Sequence, residues 1–86
     1  MVRYELEFTA TASANLSSLD PPAAQQVMDR LKWLAENCDS ISHVALTGPW
    51  AGRLRLRAGD YRALYTIDRE SRRIVVELVG HRSEVY

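Results

Sequence analysis

Hydrophobic positions divide the chain into segments of different period. Val2 to Phe8 alternates around Tyr4, Leu6 and Phe8, which predicts a strand. Thr9 to Leu19 carries Ala10, Ala12, Ala14, Leu16 and Leu19 and predicts a short helix, interrupted by Asp20-Pro21-Pro22. Asp20 is placed to cap the next helix, and Pro21 suits its first turn because proline has no N–H to leave unpaired there. Ala24, Val27, Met28, Leu31, Leu34 and Ala35 then recur at spacings of one, three and four, the stripe of an amphipathic helix running to about Asn37. That stripe reads as core-facing; Trp33 lies beside it, and packing or function are both open for it.

Beyond a polar link at Cys38 to His43 and a Gly48-Pro49 turn signal, the period becomes two. Three strands are predicted. In the first, Leu54 and Leu56 enter a core while Arg53, Arg55 and Arg57 project from the other face. Ala58-Gly59-Asp60 turns into Tyr61 to Asp68, where Tyr61, Ala63, Tyr65 and Ile67 share one face and Arg62, Leu64 and Thr66 the other. Asp68 to Arg73 reads as a second hairpin turn leading into Ile74 to Val79. The expected architecture is therefore α+β, in the order β-α-α-β-β-β. Two N-terminal helices pack on one face of an antiparallel sheet, whose polar face stays open, and residues 1–86 form a single domain.

Charge sharpens this picture. The 11 basic and 11 acidic side chains cancel, which argues against a uniformly basic nucleic-acid binder. Their distribution is uneven, with residues 51–86 holding Arg53, Arg55, Arg57, Arg62, Arg69, Arg72, Arg73 and Arg82 against five carboxylates. An arginine stripe on an open sheet face either binds an anion or keeps an edge strand from unwanted pairing, and alternation alone admits both. No segment reaches the roughly 18 consecutive apolar residues of a membrane span. The first residues lack a secretory pattern, so the expectation is a cytoplasmic protein without a membrane partner. Cys38 is the single cysteine, which excludes an intrachain disulfide and a thiolate metal cluster.

The motif L-x-G-x-W-x-G-R-L-R-L-R-x-G-D-Y-R-x-L-Y-x-I-D, followed by I-V-V-E-L-V-G-H-R-x-E-V-Y, resembles the RelE/ParE toxin superfamily, and its RelE branch in particular. The resemblance covers roughly the last forty residues in order and spacing. It implies the toxin of a type II toxin-antitoxin pair, and a ribosome-dependent endoribonuclease that cuts mRNA without metal or other cofactor. It implies a small, partly disordered antitoxin as partner, with the ribosome and mRNA as targets, and contact with operator DNA only through the antitoxin complex. By position, Arg53 and Arg55 match basic residues that contact RNA phosphates, and Arg57 continues their stripe. Arg62 matches an arginine on the scissile phosphate, Arg82 an arginine near the end of the last strand, and His81 a histidine found at that point. Tyr86 matches a C-terminal tyrosine implicated in catalysis, with a two-residue difference in spacing. Two other classes stay open: a ParE-type toxin that inhibits DNA gyrase, and a non-catalytic interaction domain of the same fold.

These residue types suit RNA cleavage by an adjacent 2′-OH. Guanidinium groups stay protonated and meet phosphate charge with planar paired donors, as Arg53, Arg55, Arg62 and Arg82 can. Proton transfer favours imidazole, with an unperturbed pKa near 6.5, over tyrosine near 10. His81 is thus the candidate acid or base from chemistry alone; Arg82 and Tyr86 come from the resemblance. His43 reads as structural, Tyr61 and Tyr65 as sheet packing, and Trp50 as packing beneath the Gly48-Pro49 turn. Strict alternation would put His81 with Val75, Glu77 and Val79, and Arg82 with Ile74, Val76 and Leu78, on opposite faces. A bulge or strand end at Gly80 is the expected escape.

Overall fold

The computed structural model describes residues 3–84. The elements are β1 (Glu5–Phe8), α1 (Ala10–Ser17), α2 (Pro21–Asn37), β2 (Val44–Ala45), β3 (Leu54–Ala58), β4 (Tyr61–Asp68) and β5 (Arg73–His81), with single 3-10 turns at Cys38–Ser40 and Gly48–Trp50. They form a five-stranded sheet in the order β1-β5-β4-β3-β2. Its two helices and its strand sequence are those expected of the α+β fold, with two differences. The sheet is mixed, since β1 runs parallel to β5 while the other neighbours are antiparallel. Side-chain alternation reports which face a residue occupies and nothing about strand direction. The additional strand β2 is two residues long, too short to show a period.

Local chemistry sets the helix boundaries. Thr9 caps α1, its Oγ1 accepting from the Ala12 N–H at 3.1 Å. Asp20 occupies the equivalent position before α2 but makes no side-chain cap bond. Pro22 stands at the second helical position, so one of the two N–H groups a cap would use is missing. Along α2 the predicted stripe is realised: Val27, Leu31, Leu34 and Ala35 are buried against Leu56, Ala58, Ala63, Tyr65, Ile74 and Val76. Each fully buried aliphatic side chain there contributes about 1.5–3 kcal/mol. On the opposite face a smaller cluster forms, in which Leu46 and Trp50 fold over Leu64 and Leu78. The polar face expected to stay open is therefore partly covered by the segment that carries the Gly48–Trp50 turn.

β5 changes phase in its middle. Tyr65 pairs with Val76 and Leu64 with Leu78, so Glu77 is the extra residue of a bulge. Thr9 braces this point, its N–H donating to the Val76 carbonyl at 3.0 Å and its hydroxyl to the Glu77 carbonyl at 3.1 Å. β1 ends at the level of Val76, and the Asn15 side chain accepts the Val79 N–H at 3.0 Å beyond it. The reset of alternation thus falls at Glu77 rather than at the expected Gly80, where the ladder to β1 gives way to contacts from α1. Ile74 and Val76 face the helices before the bulge, and Val79 with His81 after it. The strand ends at His81, leaving Arg82 in the turn that follows.

Candidate functional site

β3 and β4 present three of the predicted side chains, Arg55, Arg57 and Arg62, on the face away from the helices. Arg57 lies directly across from Arg62, and Arg55 across from Leu64. Like charges directly opposite on one sheet face oppose folding. Arg62 is nonetheless 8% exposed, with its Nη1 donating to the Gly59 carbonyl at 3.1 Å and the Tyr61 carbonyl at 3.0 Å. Burial first, then the charges of Arg57, Arg55 and Arg82, pushes its guanidinium below its ordinary value. It still titrates far above any physiological pH and remains a cation. Arg55 has its Nε buried without a hydrogen-bond partner. Among the described residues, no carboxylate lies within ion-pair distance of Arg55, Arg57 or Arg62.

Gly59 makes the turn that feeds this cluster. Its φ of +62° is one that L side chains rarely adopt, and a Cβ there would press on the Gln26 side chain. The same turn anchors Arg82: its backbone N–H donates to the Asp60 carbonyl at 2.7 Å, and its Nε lies 3.7 Å from the Asp60 carboxylate. Both side chains of that pair are well exposed, so Arg82 keeps its freedom to reach an anion.

The remaining predicted residues are distributed differently. Arg53 precedes β3 and is paired with Glu77 at 2.7 Å, its guanidinium 5.9 Å from the Trp50 ring centroid. The bulge residue thereby neutralises one arginine of the stripe, a contact that strand periodicity gave no means of foreseeing. His81 pairs with Tyr61 across the strands and lies edge-on to its ring, with centroids 5.5 Å apart. Tyr61 packs on the main core, so the register puts His81 on the helix side of the sheet, away from Arg55, Arg57 and Arg62. Its Nδ1 accepts from the Ser83 N–H at 3.2 Å, with the Ser83 hydroxyl 2.9 Å away. The expected grouping of His81 with the arginines is thus corrected by the bulge at Glu77, which restores the outward phase three residues earlier than foreseen. Tyr86 lies outside the described residues.

His43, read as structural, is so. The Cys38 carbonyl can only accept, so the His43 Nε2 at 2.9 Å carries the proton, and Nδ1 accepts from the Tyr65 hydroxyl at 2.6 Å. Burial pushes the Tyr65 phenol up to about 12. Sequence reading passed over Asp60, whose position two residues before Arg62 is its only signal, and Arg30, which reaches from α2 to the Arg57 carbonyl at 3.1 Å.

A preformed cluster in which, among the described residues, Arg55, Arg57 and Arg62 have no carboxylate within ion-pair distance has the chemistry to receive a polyanion. Residues 6–86 match the family model of the ParE toxin of the type II toxin-antitoxin system parDE. The chain is 31% identical over 83 residues to the toxin RelG of Mycobacterium tuberculosis, covering 96% of this chain and 95% of that protein. Among solved structures, it superposes on a chain of the RelBE2 toxin-antitoxin complex of M. tuberculosis with a TM-score of 0.82 and 33% identity, covering 94% of this chain and 100% of that one. The isolated RelE toxin of E. coli shares the fold, with a TM-score of 0.73, 22% identity and coverage of 91% and 83%.

Proposed function

The chain belongs to the RelE/ParE superfamily of type II toxins, on its RelE-like branch, and from that premise we propose that it is an endoribonuclease that cleaves mRNA on the ribosome. The observation that carries this reading is Arg62, almost fully buried and charged alongside Arg55, Arg57 and Arg82, with no carboxylate within ion-pair distance among the described residues. A protein that bound only through apolar contact would gain nothing from that repulsion. A phosphate repays it, because its charge grows as the 2′-oxygen attacks phosphorus.

In this reading the 2′-OH loses its proton and bonds to phosphorus, the P–O5′ bond breaks, and the departing 5′-oxygen takes a proton. A 2′,3′-cyclic phosphate and a 5′-hydroxyl result. Arg62 holds a non-bridging oxygen, Arg55 and Arg57 hold the flanking backbone, and Arg82 approaches from the turn beyond β5. Arg53, bound to Glu77, adds charge at the rim. Proton transfer falls to Tyr86, while Arg82, which stays charged, meets the charge that develops beside it. His81 acts as a positioning residue, since its Nδ1 fastens the turn that presents Arg82. A small antitoxin is the partner, as in the RelBE complexes among its structural neighbours, and it silences the toxin by laying carboxylates or apolar surface over the arginine face.

The test is induced expression in bacteria with primer extension on translated messages, comparing wild type with Arg62→Ala. Growth arrest with cuts inside codons, absent in the variant, is the expected result. Arrest with intact messages and inhibited DNA supercoiling would instead assign the gyrase-directed activity of the ParE branch.

A further inference from the structure

At the β2 edge of the sheet, a groove of about 190 Å³ runs between α2 and β3, lined by Arg30, Trp33, Ile41, Val44, Arg55 and Arg57 among its residues. Trp33 and Val44 are 37% and 48% exposed, the large hydrophobic side chains left most open among the described residues, and both line this groove. Contiguous exposed apolar surface marks a binding site more often than scattered single residues do. Trp33 is also held in place. The Arg30 guanidinium lies 4.2 Å from its ring centroid, and the Arg30 Nε is bonded to the Arg57 carbonyl. The indole is thereby tied to the strand that carries the anion site.

Arg55 and Arg57 border this groove at the edge of β3, and their side chains reach to the charged ring around Arg62 on the other face. Whatever crosses Arg62 as a polyanion meets, on leaving the sheet edge, cations beside an aromatic ring. That combination is the one by which proteins hold single-stranded nucleic acid, with guanidinium groups on the backbone and aromatic rings under the bases. Size points the same way. A groove of about 190 Å³ accepts a single flat base, whereas an amphipathic partner helix, about 10–12 Å across, needs a longer apolar trough.

We propose that this groove is a base-stacking subsite for RNA, in which a nucleotide flanking the scissile phosphate rests its base on Trp33 against Val44 and Ile41, with its phosphate on Arg55 and Arg57. The inference deepens the nuclease reading and rests on it. It makes Trp33 a specificity-determining residue and the α2–β3 edge the exit path of the strand.

Trp50→Phe leaves Trp33 as the sole tryptophan, a reporter for stacking. The probe is a short single-stranded oligoribonucleotide with 2′-O-methyl groups, which cannot be cleaved, titrated at low salt beside an abasic counterpart and a poly-glutamate peptide. Quenching of Trp33 emission by the oligoribonucleotide alone is expected. Trp33→Leu should weaken its binding, followed by anisotropy, about tenfold, and Trp33→Phe should recover most of that loss. Binding without quenching and with unchanged affinity in Trp33→Leu would overturn the subsite, as would no binding at all. Quenching by poly-glutamate only would overturn it too and give the groove to an acidic peptide. Cellular cleavage separates the two levels: intact messages with wild type sink the nuclease reading, whereas cut messages with a silent Trp33 sink only the subsite.

Discussion

Two ends of the same sheet gather arginines, and they treat the charge in opposite ways. At the β4–β5 turn, Arg69 and Arg72 converge on Asp39 at 2.6 and 3.4 Å, and Arg73 meets Glu7 at 3.1 Å. Tyr4 donates to the same Asp39 at 2.9 Å, and Arg72 lies 5.6 Å from the Tyr4 ring centroid. At the β3–β4 end, Arg55, Arg57 and Arg62 crowd one another, and among the described residues none has a carboxylate partner. Matched charge joins the N-terminal strand, the end of α2 and a hairpin turn; unmatched charge holds no elements together. The difference separates residues kept for the fold from residues whose partner is brought from outside.

Exchange of the two ends in a mutational test gives the largest contrast. Arg62→Ala should lower mRNA cleavage by about 100-fold or more, the usual consequence of removing one preplaced donor at a developing charge. Arg62→Lys should restore little, since an ammonium lacks the fork that reaches the two carbonyls and a phosphate together. Arg69→Ala should leave cleavage within about twofold, while urea unfolding shows the loss of its ion pair. Equal losses of cleavage in the two variants would erase the distinction.

Next in size is the alkaline limit of the matched end, whose network continues inward from Cys38 through His43 to Tyr65. Because burial lifts the Tyr65 phenol to about 12 in the fold, against about 10 when unfolded, the protonated form is favoured by folding. The stabilisation is complete below pH about 10 and is lost as pH rises through about 12, a change of about 2–3 kcal/mol over two pKa units. Urea midpoints across that range should fall in wild type and flatten in Tyr65→Phe.

How far the chain could be read from its residues differs between these ends for a physical reason. The stripe Val27, Leu31, Leu34 and the alternation of β3 and β4 report burial, and burial follows local period, so helices, strands and the face of Arg55, Arg57 and Arg62 were legible. Pairing partners are not local. Nothing near Arg53 announces Glu77, nothing near Asp39 announces Arg69, and a single extra residue in β5 moved His81 to the other face. Strand direction likewise leaves no mark on period, which is why the parallel β1–β5 pair went unseen. The family motif, in turn, was legible because its residues lie on consecutive strands.

Asp39 gives a smaller effect at the acid limit. The hydrogen bond from Tyr4, with Arg69 and Arg72 adding their charges, holds its carboxyl below the usual carboxylate value. A depressed carboxyl contributes stability that is present above the unfolded value near 3.9 and is lost as pH falls through the folded one. Thermal midpoints between pH 6 and pH 3 should therefore drop less steeply in Asp39→Asn, which starts lower at pH 6. Parallel curves would mean that Asp39 is not the acid-sensitive link of this end.

The smallest shift is the most discriminating, because its two readouts move in opposite directions. Arg57 faces Arg62 directly across β3 and β4, and a like-charged pair in that position costs roughly 0.2–1 kcal/mol. Arg57→Gln keeps a long polar side chain and the backbone carbonyl that Arg30 uses, while removing the repulsion. Unfolding in low salt should show a gain of a few tenths of a kcal/mol that shrinks as salt screens the wild-type pair. Cleavage should fall, by about tenfold, because the flanking phosphate loses a charge-assisted donor worth roughly 1.4 kcal/mol. A variant that grows more stable as it grows less active places the cost of the cluster on the fold and its return on the substrate. A variant that loses both would make Arg57 one more fold-holding arginine, like those around Asp39.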